Sequence, residues 1–317
     1  MKKTTEAILR KRHGAVYPPS LEKGDCIGVV APAGSLLNKE RFIAGLTILE
    51  KNGFRIRFYR NILNKKGYLA GTDQERADEF NTMWADPEIK AIIAARGGYG
   101  CLRMIDLIDI KKIRKNPKIF IGFSDITVLL NTISRRTNLV TYHGPVITTL
   151  ADMDKQSQKS FWNILFGEAP ARLASKSLRV IRGGRAKGIL RGGNLTTLAH
   201  MIGTPFEIPW NDAILLLEDI GEKPYSLDRM LTYLMKAGRL QKIQGLILGT
   251  FSDENRKERQ VLQKVVVERV TELIGDTDIP IWSNFPCGHS RRNLTLPVGA
   301  EVEMDSSGPQ LSFSVSA

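Results

Sequence analysis

The feature that most constrains this chain is the alternation, through its first half, of short apolar runs with longer stretches of helical periodicity. Residues 26–31 (CIGVVA) form a strand-length apolar run closed by Pro32 and Gly34. Asn38 then caps a helix that runs to about Asn52 and stops at Gly53. Residues 54–59 predict a second strand, 72–85 a helix, and 89–95 (IKAIIAA) a fully apolar strand that runs into Arg96-Gly97-Gly98-Tyr99-Gly100. Residues 118–123 (KIFIGF) predict a further strand. Ile126, Leu129, Leu130 and Ile133 follow it at i, i+3, i+4, i+7, the apolar stripe of a helix. Strands alternating with helices of this length require a mainly parallel sheet covered on both faces, an α/β domain.

The pattern changes around 167–187, which is small, basic and glycine-containing, and reads as a linker. Beyond it, 188–194 and 213–217 predict strands, and Leu227, Met230, Leu231 and Leu234 share one face of a helix. A strand at 245–250, a charged amphipathic helix at about 254–274, and a terminal β-hairpin from 294–304 and 311–315 complete a β-rich mixed half. The expected organisation is an arm over 1–20, an α/β domain over 21–166, a linker over 167–187 and a smaller β-rich domain over 188–317.

Composition narrows the function classes. With 317 residues, 42% hydrophobic and 25% charged, the chain has the balance of an ordinary globular protein. Apolar runs such as 213–217 are strand-sized and far short of a membrane span. Cys26, Cys101 and Cys287 lie far apart with no CxxC pair, which argues against a disulfide framework or a zinc knuckle and fits a reducing compartment. The N-terminus lacks a signal-type apolar segment, so a cytoplasmic location is expected. The net charge of +13 is spread out, apart from a net +4 in residues 1–23, and no basic–aromatic stripe accompanies it. That excludes the usual nucleic-acid reader and suits an anionic small ligand. Neither a metal nor a cofactor is expected, since no His–carboxylate cluster, GxGxxG or G-K-[ST] occurs.

Three strand ends carry polar or glycine-rich residues, at the edge where open parallel sheets hold ligands. In Gly122-Phe123-Ser124-Asp125 a serine at a strand-to-helix turn projects its hydroxyl above the sheet, with the next amide beside a helix N-terminus. Ser124 or Asp125 acting as a helix cap accounts for the same residues. The glycines of Arg96–Gly100 allow close backbone approach to a ligand, or simply a tight turn. Glu218-Asp219 follows the buried run 213–217 and is placed to orient a histidine, or else to cap a helix or pair with Arg229. Of the four histidines, His13 lies in the basic arm, His200 on a helix, and His143 after a strand where it can line a cleft. His289 lies in a glycine-flanked loop (FPCGHSR), the setting most suggestive of a functional role.

Taken in order, GDCIGVVAPAG, RGGYG, IGFSDITVLL, GGNLTTLAHMIGTPFE, LLLEDIGEKPYSLDRML, GLILGTFSD and FPCGH with LPVG resemble the LD-carboxypeptidase family, from Lys23 nearly to the C-terminus. That family includes muramoyl-tetrapeptide carboxypeptidases and microcin C self-immunity peptidases. The resemblance implies a flavodoxin-like N-terminal domain, a β-rich C-terminal domain and a site between them. It further implies Ser124 as nucleophile, Glu218 as acid and His289 as general base. Asp125 with Gly98 or Gly97 would supply the oxyanion hole, and Arg96 and Tyr99 would contact substrate. The implied activity is release of terminal D-alanine from a murein tetrapeptide, in a homodimer, with no nucleic-acid or membrane partner. A microcin-immunity-type peptidase or another acyl-amide hydrolase would use the same triad. A non-catalytic module binding a small anionic ligand would instead leave Ser124, Glu218 and His289 dispersed. The arm before Leu21 is longer than the family pattern.

Overall fold

The computed structural model describes residues 11–12, 14–168, 172–252 and 256–313. Its first half supplies β1 (Cys26–Val30), β2 (Arg55–Arg57), β3 (Ile89–Ala94), β4 (Ile119–Gly122) and β5 (Thr141–His143). The second half supplies β6 (Arg172–Ala174), β7 (Arg179–Arg182), β8 (Arg185–Asn194), β9 (Ala213–Ile220), β10 (Gly245–Ser252) and β11 (Ile281–Ser283). It ends in β12 (Leu296–Val298), β13 (Glu301–Asp305) and β14 (Gln310–Phe313). Six strands form the first sheet in the order β12-β5-β4-β3-β1-β2, parallel except for β12. Eight form the second, β6-β14-β13-β8-β9-β10-β11-β7, with a parallel centre and antiparallel margins.

Two helices of the first half start where side chains satisfy their free amides. Asn38 accepts from Arg41 N–H to begin α1 (Lys39–Lys51), and Thr72 with Glu75 forms a reciprocal capping box at α2 (Asp73–Ala85). The helix after β4, α3 (Thr127–Thr137), is almost wholly buried, because its outer face is covered by the second half of the chain. Leu129, Leu130 and Ile133 of α3 share one continuous core with Leu195, Leu198, Leu215 and Leu217. The two halves are therefore joined by apolar packing rather than by a solvated hinge.

Polar contacts fix the register of that joint. Asn131 Nδ2 donates to Gly192 O at 2.9 Å, and Gly192 N–H returns to Asn131 Oδ1 at 3.0 Å. Asn194 N–H donates to Thr127 Oγ1 at 3.1 Å. Gly192 and Gly193 have φ of +114° and +136°, and a Cβ on Gly193 would lie 2.5 Å from Thr127 Oγ1. Only glycine lets β8 approach the helix this closely.

Two expectations are corrected. The segment read as a linker, 167–187, instead contains β6, β7 and the start of β8, with β6 and β7 at the two edges of the second sheet. Its strands are short, basic and largely exposed, so they carry no apolar alternation to reveal them. The terminal hairpin is made by β13 and β14 alone. Leu296–Val298 leaves it to pair with β5, because its fully buried side chains need the core between the sheets. The described part of the arm is docked: Val16 N–H donates to Asn138 O and Val16 O accepts from Val140 N–H. His13 lies outside the described residues.

Asn131→Leu conserves volume but leaves the N–H and C=O of Gly192 unpaired in a dry interface. It is expected to lower the unfolding free energy by about 2–4 kcal/mol. Urea denaturation measures this, and a change below about 0.5 kcal/mol would show that the pair is dispensable.

Candidate functional site

The site lies at the carboxyl ends of β3 and β4, where the second sheet meets the first. After Gly122 the chain turns sharply, and Ser124 has φ of +65°, a left-handed conformation that a serine adopts only under constraint. The N-cap positions of the 3₁₀ turn Ser124–Ile126 and of α3 are held by Phe123 and Ile126, so neither Ser124 nor Asp125 stands at a cap position. Asp125 is tied elsewhere: its Oδ2 accepts the Cys101 N–H at 2.8 Å. Burial raises its pKa, and the amides of Cys101 and Gly100 offset part of that rise. Asp125 thus couples the serine turn to the glycine loop.

Gly97 packs directly on that turn. A Cβ there would lie 2.7 Å from Ser124 Cβ and 2.9 Å from Ser124 Oγ. Gly98, at φ +116°, is exposed beside it. Among the described residues, neither the Gly98 nor the Asp125 N–H donates to another backbone group. A cavity of about 690 Å³ opens from Gly98, walled by Arg96, Ser35, Lys65, Tyr68 and Tyr99.

The second half contributes the titratable pair. Glu218 is fully buried near the end of β9, and its Oε2 lies 2.7 Å from His289 Nδ1. Glycine at 288, φ +104°, makes this possible, since a Cβ there would fall 2.6 Å from Glu218 Oε2. The loop is held by Gly288 N–H to Asn293 Oδ1 at 3.0 Å and by Ser252 Oγ–H to His289 O at 3.0 Å. The His289 ring rests 4.6 Å, centroid to centroid, from Phe123, the neighbour of Ser124. Of the sequence-predicted residues, Glu218 and His289 are in direct contact, and the His289 ring packs against Phe123, the residue that precedes Ser124.

Burial acts on both members of the pair and is overridden by their attraction. It would lower His289, yet the Glu218 carboxylate raises the imidazole above its ordinary value. It would raise Glu218, yet His289 holds the carboxyl below the usual range. Asp219 faces the other way, accepting from Asn194 Nδ2, Thr196 N–H and Thr196 Oγ, and burial pushes it up to about 6. It anchors the start of the helix Leu195–Met201, a structural role that its position after Glu218 did not reveal.

The other candidates take no part in the Glu218–His289 contact. His143 is the last residue of β5, wholly buried, and pushed down to about 4 by burial, hence neutral, with its ring edge-on to Phe123. It lines no open cleft. His200 is exposed, with Nδ1 2.7 Å from Thr196 O. Arg229 lies over the Tyr225 ring rather than beside Glu218. Cys287 is buried, and both burial and Glu218 raise its thiol pKa, which suppresses thiolate chemistry. Among the described residues no group of three metal-ligating side chains occurs, and no helix is long and apolar enough to cross a membrane.

The electrostatics give a direct expectation for NMR. His289 should titrate above 6.5, and in Glu218→Gln, where burial acts without the carboxylate, below it. An unshifted midpoint in the variant would contradict the coupling.

Comparison with known proteins places this geometry in context. The LD-carboxypeptidase N-terminal domain model matches residues 27–144, and the LD-carboxypeptidase C-terminal domain model matches 187–304. The probable murein peptide carboxypeptidase of Bacillus subtilis (strain 168) is 36% identical over 294 residues, covering 91% of each chain. A crystal structure of muramoyltetrapeptide carboxypeptidase from Oxalobacter formigenes superposes with a TM-score of 0.77 at 29% identity, over 92% of this chain and 99% of that one. The microcin C7 self-immunity protein MccF, solved with glutamyl sulfamoyl guanosine, gives a TM-score of 0.85 at 25% identity, over 94% and 98%. Matched in both halves and along nearly its whole length, the chain belongs to the LD-carboxypeptidase family.

Proposed function

We propose that the protein is a serine carboxypeptidase that hydrolyses the L–D amide bond releasing the terminal D-alanine of a murein tetrapeptide. The observation that carries this reading is the Glu218–His289 hydrogen bond of 2.7 Å, with the His289 ring packed against Phe123, whose chain neighbour Ser124 has φ of +65°. His289 Nδ1–H donates to Glu218, which leaves Nε2 free to accept the Ser124 hydroxyl proton as Oγ attacks the amide carbonyl. The buried carboxylate fixes the tautomer and stabilises the imidazolium that forms. His289 then protonates the departing D-alanine nitrogen, and water, deprotonated in turn by His289, hydrolyses the acyl-serine.

The amides of Asp125 and Gly98 hold the oxyanion in this mechanism. Gly98 is preferred over Gly97 because it is exposed toward the cavity, whereas Gly97 is packed on Ser124. Arg96 and Tyr99 contact the substrate from the cavity wall. Murein peptides as substrates are supported by the names of the relatives, which include the murein tetrapeptide carboxypeptidase of Pseudomonas aeruginosa. The high TM-score to MccF favours a second reading, in which the same triad cleaves an aminoacyl sulfamoyl nucleoside. The cytoplasm, where stem peptides are recycled, is the compartment this reading requires, and a homodimer is the assembly we expect.

Mass spectrometry of a murein tetrapeptide after incubation tests the reading. The wild type should remove one D-alanine, and Ser124→Ala should be slower by roughly 10³-fold or more. Hydrolysis of an aminoacyl sulfamoyl nucleoside with an untouched tetrapeptide would select the second substrate, and an active Ser124→Ala would refute the nucleophile. Gly97→Ala, which crowds Ser124 Oγ, should stay folded and lose about 10²-fold in kcat. Parallel circular dichroism and turnover measurements check that pairing.

A further inference from the structure

Among the described residues, the cavity beside Gly98 is lined by two cationic side chains and by no carboxylate. Lys65 stands at the exposed rim, while Arg96 is half-buried in the wall. Arg96 is also fixed in position. Its Nη1 donates to Ser35 O at 2.6 Å. A Cβ on Gly34 would lie 3.5 Å from Arg96 Cζ, and one on Gly98 3.6 Å from Nη2, so the guanidinium packs at contact distance alongside both glycines. A guanidinium has five N–H donors, and only one of them is used by Ser35. Among the described residues no acid forms a salt bridge with it. A half-buried, anchored cation with donors facing a cavity is placed to receive an anion.

We propose that Arg96 reads the free α-carboxylate of the residue that the enzyme releases. This inference rests on the carboxypeptidase reading above and supplies what that reading leaves open, the reason cleavage is confined to a chain end. In the bound peptide the terminal carboxylate carbon lies two bonds beyond the scissile nitrogen. Its oxygens therefore fall only a few ångströms from the oxyanion. Arg96 Nη2, adjacent to Gly98, stands at that reach, and the planar guanidinium can engage both carboxylate oxygens. The Tyr68 and Tyr99 rings, with centroids 5.8 Å apart, wall the mouth of the same cavity and restrict the room for a further residue beyond the carboxylate.

The test compares kcat/KM on a murein tetrapeptide ending in D-alanine with the same peptide ending in D-alaninamide. The wild type should prefer the acid by about 10–100-fold, the loss expected when a charged hydrogen-bond acceptor is removed. In Arg96→Gln the preference should fall to within about 3-fold through a slower acid reaction, and Arg96→Lys should retain part of it. Because the ratio is taken within each protein, a reduced folded fraction cancels. A wild-type preference that persists in Arg96→Gln, or its absence from the wild type, would overturn the proposal. So would a preference lost in Lys65→Gln but kept in Arg96→Gln. Release of neither D-alanine nor D-alaninamide by the wild type would instead defeat the carboxypeptidase reading, and this inference with it.

Discussion

The site depends on the docking of one buried helix against one strand of the other sheet. Asn131 on α3 exchanges two hydrogen bonds with the backbone of Gly192, and Thr127 accepts from Asn194 two residues further on. Asn194 in turn lies opposite Glu218 in the β8–β9 ladder. The path from the turn at Ser124 to the carboxylate of Glu218 is therefore a single helix, a reciprocal amide pair and one step across a sheet. Each link is buried, and buried backbone groups without partners are costly, so the arrangement tolerates little drift. The shared apolar core around Leu129, Leu215 and Leu217 reinforces the same placement.

That rigidity matters because the two titratable groups are kept out of water. Full burial of Glu218 would by itself favour the neutral carboxyl, and burial of His289 the neutral ring. Their 2.7 Å contact reverses both tendencies, so the carboxylate is charged and the imidazole is made more basic. Low dielectric strengthens the pair only while its geometry holds. Gly288 leaves room for Glu218, Asn293 restrains the loop amide, and Phe123 supports the ring, so geometry is supplied from three directions. Asp219, next in sequence, is held by a separate set of donors and does not compete for the imidazole.

Much of the first half was legible because its signals are local. The apolar runs at β1, β3 and β4 and the cap at Asn38 need no distant partner to be recognised. The order of the motifs carried the resemblance that implied Ser124, Glu218 and His289 together, and of these the contact between Glu218 and His289 is present. What stayed hidden depends on tertiary contact. The strands Arg172–Ala174 and Arg179–Arg182 are exposed edges without periodicity, and Leu296–Val298 is distinguished only by the sheet it joins. Asp125 resembles a cap for its own helix, but its acceptor role is toward Cys101, 24 residues earlier. His143 looked like a cleft residue because it ends a strand, yet the second half of the chain seals it in.

The central claim is that Ser124 and the Glu218–His289 pair, delivered from opposite sides of one packed interface, act as a single catalytic unit. A double-mutant cycle on the kcat/KM of D-alanine release, using Ser124→Ala, His289→Ala and the combined variant, tests this most directly. The account predicts that each single substitution costs nearly as much as both together, because either one disables the same proton transfer. Additive losses, with the double variant slower by the product of the two effects, would contradict it.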